Sequence, residues 1–321
     1  MNIFVDFAMT PGALAALREG TAEHQLLFPQ TPAASVLAAP EADPRFCAAE
    51  IAFGQPNTKA VAEASLLRWI HVSSSGYTRY DNPQFRSLVA ERRIVVSNSA
   101  SVFAEACAVH ALSFLVAQTR NLPAALKTRT GNGTPVWNEL RQASGTLQDE
   151  NVLILGFGAI GTRLAQLLRP LGANVVAYRR HARGDEIVPV VTEPGLASAL
   201  AQAQHIVNVL PDSSQTRHFF DAACFAVIRP GAVFYNIGRG STVDQTALLG
   251  ALRAKRLKAA WLDVTDPEPL PDEHPLWQEP NCFITPHLAG GHTNETTSLV
   301  RHFLANLHRF VRHEPLVDRI M

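Results

Sequence analysis

Three side chains suited to acid–base chemistry follow three successive apolar runs near the end of the chain. Arg239 lies in NIGRG, Glu268 in LDVTDPEP and His287 in TPHLAGG. An arginine binds carboxylates, a histidine carries a proton at neutral pH, and a neighbouring carboxylate favours the charged histidine. Because residues just past the carboxyl ends of parallel strands meet in one crevice, we expect the three to converge. The pattern predicts an enzyme in which His287 is a general acid paired with Glu268.

Arg239 is flanked by Gly238 and Gly240, which remove side-chain bulk around its planar cation. Its fork matches a carboxylate and can reach a neighbouring carbonyl, so we predict that it binds the substrate. Two other interpretations remain open from the residues alone. Arg239 could be a surface arginine in a turn, or a ligand for a cofactor phosphate.

The elements that would position these residues belong to an α/β protein. NVLIL, NVVAY, HIVNVL, AVFYN, AAWLDV and CFITP are continuous apolar runs typical of parallel strands buried on both faces. A chain of 321 residues is expected to form two domains. Two apolar helix candidates, Val102 to Thr119 and Thr297 to Arg312, fit neither unit and would cross between them. We therefore predict a dinucleotide-binding domain at 100–291, inserted into a discontinuous domain of residues 1–99 and 292–321.

The segment that begins at Asn151 has the complete context of a dinucleotide site. It places GxGxxG between an apolar strand and a helix. The first glycine permits a tight turn, the second lets the backbone approach a pyrophosphate, and the third allows close helix packing. The helix N-terminus would then present N–H groups to the phosphates. We predict that the cofactor contacts the whole turn: Gly156, Phe157, Gly158, Ala159, Ile160 and Gly161.

The next strand ends in arginine rather than in the acid that normally binds the adenosine ribose. Arg179 and Arg180 follow Tyr178 directly, and Arg183 lies close behind. An acid would repel a 2′-phosphate, whereas guanidinium groups bind one through charge-assisted hydrogen bonds. We therefore expect NADP(H) to be preferred, with NAD(H) possible. The alternative is that these arginines form a solvated surface cluster.

Composition narrows the partners and the location. Lys and Arg total 28 against 28 Asp and Glu, so no net field attracts a nucleic acid or an anionic membrane. The apolar stretch Val102 to Ala117 is interrupted by Glu105 and His110, and we expect it to be too short to span a bilayer. Four widely spaced cysteines and a start without a basic signal segment predict a reduced, cytoplasmic protein. No His or Cys pattern has metal-ligand spacing, so we expect no metal site.

The order and spacing of the motifs resemble the D-isomer-specific 2-hydroxyacid dehydrogenases. The resemblance covers nearly the whole chain, through RWIHVSSSGYTRYD, IVVSNSASVFAEACAVHAL, GFGAIG, LPDSSQT, NIGRG, LDVTDPEPLPDEHPLW and TPHLAGG. It implies a Rossmann-type coenzyme domain inserted into a discontinuous flavodoxin-like substrate domain, and a homodimer formed through the coenzyme domains. It also implies hydride transfer from the nicotinamide, here expected to be that of NADPH because of the arginines, to the keto carbon of a 2-oxo acid, giving a D-2-hydroxy acid. Glyoxylate, hydroxypyruvate and bulkier 2-oxo acids are all candidate substrates.

The resemblance also assigns roles to individual positions. Arg239 would bind the substrate carboxylate and orient the carbonyl, and His287 would exchange the proton while paired with Glu268. Backbone groups of Ser75 and Gly76 would hold the substrate carboxylate. The remaining cofactor contacts would be Pro211, Thr216, Ile237, Gly290 and, at the nicotinamide end, Asp263.

Selectivity for the substrate side chain would be set near Ser75, Tyr77 and Arg79, and the segment 130–144 resembles the family's dimer arm. Asp212 departs from the family, which usually has an apolar residue after LP, and so does Val109, where an acid is common.

Within the resemblance, the alternative enzyme is an oxidiser of formate or phosphite. The formate-oxidising relatives usually carry Gln at the position of Glu268 and have longer N-terminal insertions, which argues against that activity. A non-catalytic NAD(P)-sensing protein, like the corepressors that share this architecture, is the main alternative, because such proteins can retain the same three residues.

Overall fold

The computed structural model describes residues 1–33 and 41–321, and these divide into two compact units. Unit 1 comprises Met1–Phe103 and Gly291–Met321, and unit 2 comprises Ala104–Gly290. One helix, α4 (Ala100–Thr119), contains the first boundary.

Within its described residues, unit 1 contains a parallel sheet of five strands in the order β2-β1-β3-β4-β5. The strands are β1 (Asn2–Val5), β2 (Gln25–Leu27), β3 (Ile51–Gly54), β4 (Trp69–Val72) and β5 (Val95–Ser97). The helices are α1 (Pro11–Gly20), α2 (Thr58–Glu63), α3 (Pro83–Glu91) and α11 (Glu295–Val311), with 3-10 turns at Pro44–Ala48 and Thr78–Tyr80. This strand order is that of flavodoxin-like sheets.

The core of unit 1 forms where α11 packs on the central strands. Every residue of β3 and β4 is buried, as expected for parallel strands covered on both faces. Phe303 of α11 stacks on Phe53 and Trp69, with ring centroids 4.3 and 5.2 Å apart. The apolar spacing predicted for the last helix thus provides its packing face.

Unit 2 contains, among the described residues, a parallel sheet of seven strands in the order β12-β11-β10-β9-β6-β7-β8. The strands are β6 (Asn151–Leu155), β7 (Asn174–Tyr178), β8 (Val190–Val191), β9 (His205–Asn208), β10 (Ala232–Asn236), β11 (Leu257–Leu262) and β12 (Cys282–Ile284). The helices are α5 (Leu122–Lys127), α6 (Pro135–Gln142), α7 (Ala159–Leu168), α8 (Glu193–Gln202), α9 (Ala222–Val227) and α10 (Gln245–Arg253). Further 3-10 turns span Arg169–Leu171, Gly240–Thr242 and Pro275–Gln278.

The order of strands in unit 2 reverses direction between β6 and β9, which is the switch point of a doubly wound sheet. Ligands of such sheets bind outside the carboxyl ends of the strands at this point. The predicted α/β class with a Rossmann-type unit is confirmed.

We expected the apolar stretch Val102 to Ala117 to be too short to span a bilayer, and that argument about length is wrong. The helix that contains it runs from Ala100 to Thr119. Its 20 residues and mean hydropathy of 1.7 make it long and apolar enough to cross a membrane by length and composition alone. A core helix passes the same test. In unit 2, the ring of Phe114 lies 4.9 Å from that of Trp261, whose indole N–H donates to the Gln118 side chain at 2.9 Å. These contacts pack the helix against β11.

Candidate active site

The three candidate catalytic residues lie on the loops that follow three adjacent strands. Arg239 follows β10, Glu268 follows β11 and His287 follows β12, and these strands are neighbours in the sheet. His287 Nδ1 lies 2.5 Å from Glu268 Oε1, with 34% and 41% of the two side chains exposed. The structure therefore brings the imidazole and the carboxylate into hydrogen-bond contact at a solvent-accessible edge.

The loops of Arg239 and Glu268 also touch through their backbones. A Cβ atom on Gly240 would lie only 1.9 Å from the carbonyl oxygen of Thr265, so any larger residue would force the two loops apart. The side-chain amide of Gln245 donates to the Asp266 carbonyl at 2.6 Å and accepts from the Asp266 N–H at 3.0 Å. Thus Gly240 and Gln245 set the spacing between the cation and the acid.

His287 is held in a left-handed backbone conformation, with φ of +52°. That conformation costs a non-glycine residue roughly 1–2 kcal/mol, so surrounding bonds must support it. Its N–H donates to the Asp263 carbonyl oxygen at 2.9 Å. The Asp263 carboxylate accepts from the N–H groups of Leu288 and Ala289, both at 2.8 Å, and from the Thr285 hydroxyl at 2.6 Å. The loop that carries His287 is therefore built around one buried carboxylate.

His110, which the sequence analysis treated only as an interruption of an apolar stretch, lies beside this carboxylate. Its Nε2 is 3.5 Å from Asp263 Oδ1 and 3.4 Å from the Thr285 hydroxyl. Burial lowers the pKa of His110, and the nearby Asp263 charge opposes that shift. The only sequence signal was a histidine within an apolar helix, and no pattern indicated its partner.

Arg239 is supported by a buried polar network that sequence reasoning missed. The Asn208 amide donates to Asn236 Oδ1 at 3.0 Å and to the Thr242 hydroxyl oxygen at 2.7 Å. The carbonyl oxygen of Arg239 accepts from the Asn236 amide at 3.1 Å and from the Thr242 hydroxyl at 2.6 Å. Asn208, Asn236 and Thr242 are 0–1% exposed. Buried polar groups must be paired, so this network defines the backbone from which the guanidinium extends.

One departure from the family pattern has a local explanation. Asp212 Oδ1 accepts a hydrogen bond of 2.7 Å from the hydroxyl of Ser241, two residues after Arg239. The extra carboxylate therefore ties the loop after β9 to the loop after β10.

The glycine-rich turn has the geometry that a pyrophosphate requires. Gly156 has φ of +100°, and a Cβ there would lie 2.6 Å from the Val209 carbonyl oxygen. A Cβ on Gly161 would lie 2.2 Å from the carbonyl oxygen of Gly156. Gly158, by contrast, faces open space and is the N-cap of α7, to which it contributes no side-chain hydrogen bond. The first N–H groups of this ten-residue helix therefore lack a side-chain acceptor from the cap, an arrangement that favours phosphate binding at helix N-termini.

The residues of the turn differ in how far they are exposed to solvent. Phe157 is buried, whereas Gly158 and Ala159 are exposed and Ile160 is half-buried at the start of α7. The turn thus presents backbone outward and anchors itself through Phe157.

The arginine loop after β7 differs from the prediction in one respect, because an acid does reach it. Glu186 Oε1 accepts from Arg179 Nη1 at 3.0 Å and from the Arg183 N–H at 2.6 Å, and Oε2 accepts from the Gly184 N–H at 2.8 Å. Hydrogen bonds from the Arg183 and Gly184 backbone lower the pKa of Glu186. Arg179 is therefore not part of a solvated cluster, since it is ion-paired and its side chain is only 17% exposed.

The other two predicted phosphate ligands stay accessible. Arg183 is exposed, and Arg180 bonds to the side chain of Gln215, which belongs to the loop after β9. In that same loop the Thr216 hydroxyl donates to the Pro211 carbonyl at 2.6 Å. Ile237 is buried and Gly290 is half-buried.

In unit 1, the predicted substrate loop follows β4. The carbonyl oxygen of Ser75 accepts from the Asn98 amide at 2.7 Å, and that of Gly76 accepts from the Ser74 hydroxyl at 2.6 Å. These bonds use the carbonyl oxygens rather than the N–H groups to which we assign a carboxylate. Gln55, which the sequence analysis missed, donates to the Ser74 hydroxyl at 2.8 Å and accepts from Arg79 at 3.5 Å.

The family model described as D-isomer specific 2-hydroxyacid dehydrogenase, NAD binding domain, matches residues 112–289. The chain belongs to this family. A human glyoxylate reductase/hydroxypyruvate reductase is 34% identical over 238 residues, which are 72% of this chain and 71% of that protein.

Two solved structures share the fold over the whole chain. A D-isomer specific 2-hydroxyacid dehydrogenase family protein from Aeromonas salmonicida is 26% identical, with a TM-score of 0.76 and coverage of 100% of this chain and 98% of that one. A D-isomer specific 2-hydroxyacid dehydrogenase from Xanthobacter autotrophicus, in complex with NADPH and MES, has a TM-score of 0.78 at 24% identity, with the same coverage.

Membership confirms the predicted recognition and enzyme class. This D-isomer specific 2-hydroxyacid dehydrogenase uses a nicotinamide dinucleotide, and a non-catalytic sensor is not favoured. The roles of the individual site residues stay predictions.

Proposed function

We propose that this dehydrogenase reduces a 2-oxo acid to the D-2-hydroxy acid with NADPH, and that His287 delivers the proton. The observation that carries the proposal is the 2.5 Å contact between His287 Nδ1 and Glu268 Oε1, on loops adjacent to that of Arg239. When bound, the reduced nicotinamide supplies the hydride. The human relative, named glyoxylate reductase/hydroxypyruvate reductase, makes small 2-oxo acids the first candidates.

His287 and Glu268 would together keep a proton available for the substrate. Nδ1 faces the carboxylate, so the other ring nitrogen, Nε2, is the one that can donate to the ketone oxygen. A carboxylate partner stabilises the charged imidazole and fixes its orientation. Nε2 of the charged imidazole would give its proton to the ketone oxygen as the ketone is reduced, which would leave the His287 ring neutral.

Arg239 would bind the substrate carboxylate and polarise the ketone. The guanidinium has five N–H donors in a planar fork, and one nitrogen, Nη1, donates to the Gly238 carbonyl at 2.6 Å. That bond restricts the plane of the fork while leaving donors for two substrate oxygens. Ser75 and Gly76 are proposed as further carboxylate contacts through their backbone N–H groups.

Asp263 is proposed to contact the nicotinamide carboxamide. A carboxylate offers about four acceptor positions. Three are used by Thr285, Leu288 and Ala289, two of these on Oδ1 and one on Oδ2. The remaining position on Oδ2 could accept a carboxamide N–H. The turn 156–161 would hold the pyrophosphate, with Pro211, Thr216, Ile237 and Gly290 completing the cofactor site.

The preference for NADPH is proposed from the arginine loop. Arg179 follows β7, whose last residue Tyr178 is in register with Leu155 at the end of β6, directly before the glycine-rich turn. A cation in that position suits the 2′-phosphate, and Arg180 and Arg183 add two more donors nearby. The relative from Xanthobacter autotrophicus was solved with NADPH, which supports this choice.

The assembly and the location are proposed from the segment 130–144 and from the cysteines. The segment 130–144 contains α6, on which the Arg141 guanidinium lies 4.6 Å from the Trp137 ring centroid, and we propose that this segment contributes to a homodimer. All four cysteines, which lie in the described ranges, carry free thiols, as a reducing cytoplasm would allow. The proposed partners are small 2-oxo and 2-hydroxy acids.

The first experiment removes the proton donor. His287→Ala should lower kcat for reduction of glyoxylate or hydroxypyruvate by about 10²- to 10⁴-fold, because a positioned general acid contributes that much. NADPH binding, followed by fluorescence, should be unchanged. His308→Ala, on an exposed position of α11, is the control. If His287→Ala keeps wild-type reduction rates from about pH 6 to about pH 9, the assignment is refuted.

The substrate and the cofactor are tested by one matrix. Wild-type rates are measured for glyoxylate, hydroxypyruvate and bulkier 2-oxo acids, each with NADPH and with NADH. A higher kcat/KM with NADPH for the best acid supports the proposal. A higher value with NADH would contradict it.

A further inference from the structure

The loop 179–186 is closed by a single carboxylate. Glu186 has a side chain that is only 7% exposed, and it accepts three hydrogen bonds from residues of this short loop. Two come from the backbone N–H groups of Arg183 and Gly184, at 2.6 and 2.8 Å. The third comes from Arg179 Nη1, at 3.0 Å.

We propose that Glu186 is a positioning residue for recognition of the adenosine 2′-phosphate, which it achieves by orienting the Arg179 guanidinium and closing the loop that carries Arg183. The inference rests on the NADPH preference proposed above, and it identifies an acid, not only cations, as a determinant of that preference. Glu186 touches the arginines and does not itself contact the phosphate.

The rest of the loop supports an orienting role. The Arg179 N–H donates to the Val191 carbonyl at 3.2 Å, so the backbone at the end of β7 is tied to β8. Gly184 has φ of +88°, which lets the chain turn back and bring Glu186 under Arg179. The ion pair uses Nη1, and a planar fork held at one nitrogen still presents donors to a phosphate in a defined plane.

The chemistry of the three bonds requires a carboxylate. An ionised carboxylate only accepts hydrogen bonds, so it can face an N–H group with each oxygen. A glutamine would place its NH₂ group against one of those N–H donors and would lose the charge-assisted bond to Arg179. An aspartate keeps the charge but is one methylene shorter, so it cannot reach Arg179 and both backbone N–H groups together.

The opposite role, screening, makes a different prediction. If Glu186 merely neutralised Arg179, removing its charge would strengthen phosphate binding. If it orients Arg179, removing it weakens phosphate binding although the net positive charge of the loop increases.

Calorimetric titration with two small probes separates these roles without turnover. The probes are 2′,5′-ADP, which carries the 2′-phosphate, and ADP, which lacks it, each titrated into the full-length protein. Glu186→Gln should weaken binding of 2′,5′-ADP by about 10-fold, the value of one lost charge-assisted hydrogen bond, and leave ADP within about twofold. Asp185→Asn, an exposed neighbour, is the matched control and should change neither. Glu186→Asp should resemble Glu186→Gln if orientation matters, and should resemble wild type if only charge matters.

The outcomes distinguish this inference from the NADPH preference. If wild type binds both probes equally, the preference itself fails and the role of Glu186 fails with it. If Arg179→Ala abolishes discrimination while Glu186→Gln and Glu186→Asp keep it, the preference stands and the inference is overturned. It is also overturned if Glu186→Gln binds 2′,5′-ADP more tightly, or loses both probes equally. A melting temperature for each variant shows that the folded protein was titrated.

Discussion

Each unit buries an aspartate just past the carboxyl end of a strand, but the two are supplied with hydrogen-bond donors very differently. Asp263 follows β11 in unit 2, Asp6 follows β1 in unit 1, and both are 1% exposed. The Asp263 carboxylate accepts a hydroxyl and two backbone N–H groups. The Asp6 carboxyl accepts from the Gln55 N–H, at 3.0 Å from each oxygen, and from its own backbone N–H.

For Asp6, burial changes the pKa of the carboxyl group. Burial raises the pKa of this carboxyl to about 7, and the bond from Gln55 and the charge of Arg79 oppose the rise only in part. The donors that reach Asp6 do not offset its burial, so this carboxyl favours its protonated form. The donors to Asp263 organise the backbone around that carboxylate.

Removing the Asp263 carboxylate, which accepts from a hydroxyl and two backbone N–H groups, should have the largest effect on activity. Asp263→Ala leaves three donors without an acceptor and withdraws the support for the left-handed backbone of His287. We expect kcat to fall by about 10²-fold, the loss that a displacement of roughly 1 Å causes at a reacting centre. The measurement is steady-state reduction of the best 2-oxo acid, together with the melting temperature.

The melting temperature separates two roles of Asp263. If Asp263 braces the loop, Asp263→Ala lowers the melting temperature by several degrees. The melting temperature of Asp263→Asn, which keeps one acceptor, then lies between those of Asp263→Ala and wild type. A loss of activity with an unchanged melting temperature would mean that only a cofactor contact was removed. Asp272→Ala, an exposed acid in the loop before β12, serves as the control.

Beside Arg239, the uncharged side chain of Asn208 also joins several polar groups. Asn208→Ala removes an amide that pairs with Asn236 and Thr242 and accepts from the Leu210 N–H at 3.1 Å. The free energy of unfolding should fall by about 1–3 kcal/mol and kcat/KM by about 10-fold, since the carbonyl of Arg239 loses its braced partners. Denaturant unfolding and kinetics measure the two effects. Asn174→Ala, an exposed asparagine at the start of β7, should change neither, and an Asn208→Ala enzyme with wild-type kinetics would exclude the positioning role.

The Asp6 carboxyl should affect stability rather than activity, through the dependence of the unfolding free energy on pH. Folded Asp6 keeps its proton up to about pH 7, whereas the ordinary pKa is 3.8. Between these values the folded state binds more protons, so its stabilising contribution is full below the lower pKa and is lost as the pH rises. The loss is at most about 1.4 kcal/mol per pH unit.

Asp6→Asn isolates that contribution, because asparagine keeps an acceptor for Gln55 but does not titrate. The difference in unfolding free energy between the variant and wild type, measured at several values from about pH 4 to about pH 8, should increase in favour of the variant as the pH rises. Parallel curves for the two proteins would show that Asp6 ionises as it does in the unfolded chain.

Much of the candidate site could be predicted because short motifs encode it. The glycines at positions 156, 158 and 161 meet steric requirements that neighbouring backbone imposes, and the structure shows the close approaches at the first and third. The contact of His287 with Glu268 followed from their places after adjacent parallel strands. Asn208, Thr242 and His110 could not be predicted in the same way, because a polar residue at a strand end or in an apolar helix has many possible partners.

The sequence by itself determined the α/β class, the family and the identity of the three candidate catalytic side chains, because each depends on contiguous patterns of a few residues. The tertiary structure decided which donors reach each buried carboxylate and which acid reaches Arg179. Hydrogen bonds act over about 3 Å, and the groups they join at these carboxylates stand as far apart in sequence as Asp6 and Gln55, so only the folded chain can determine the pairing.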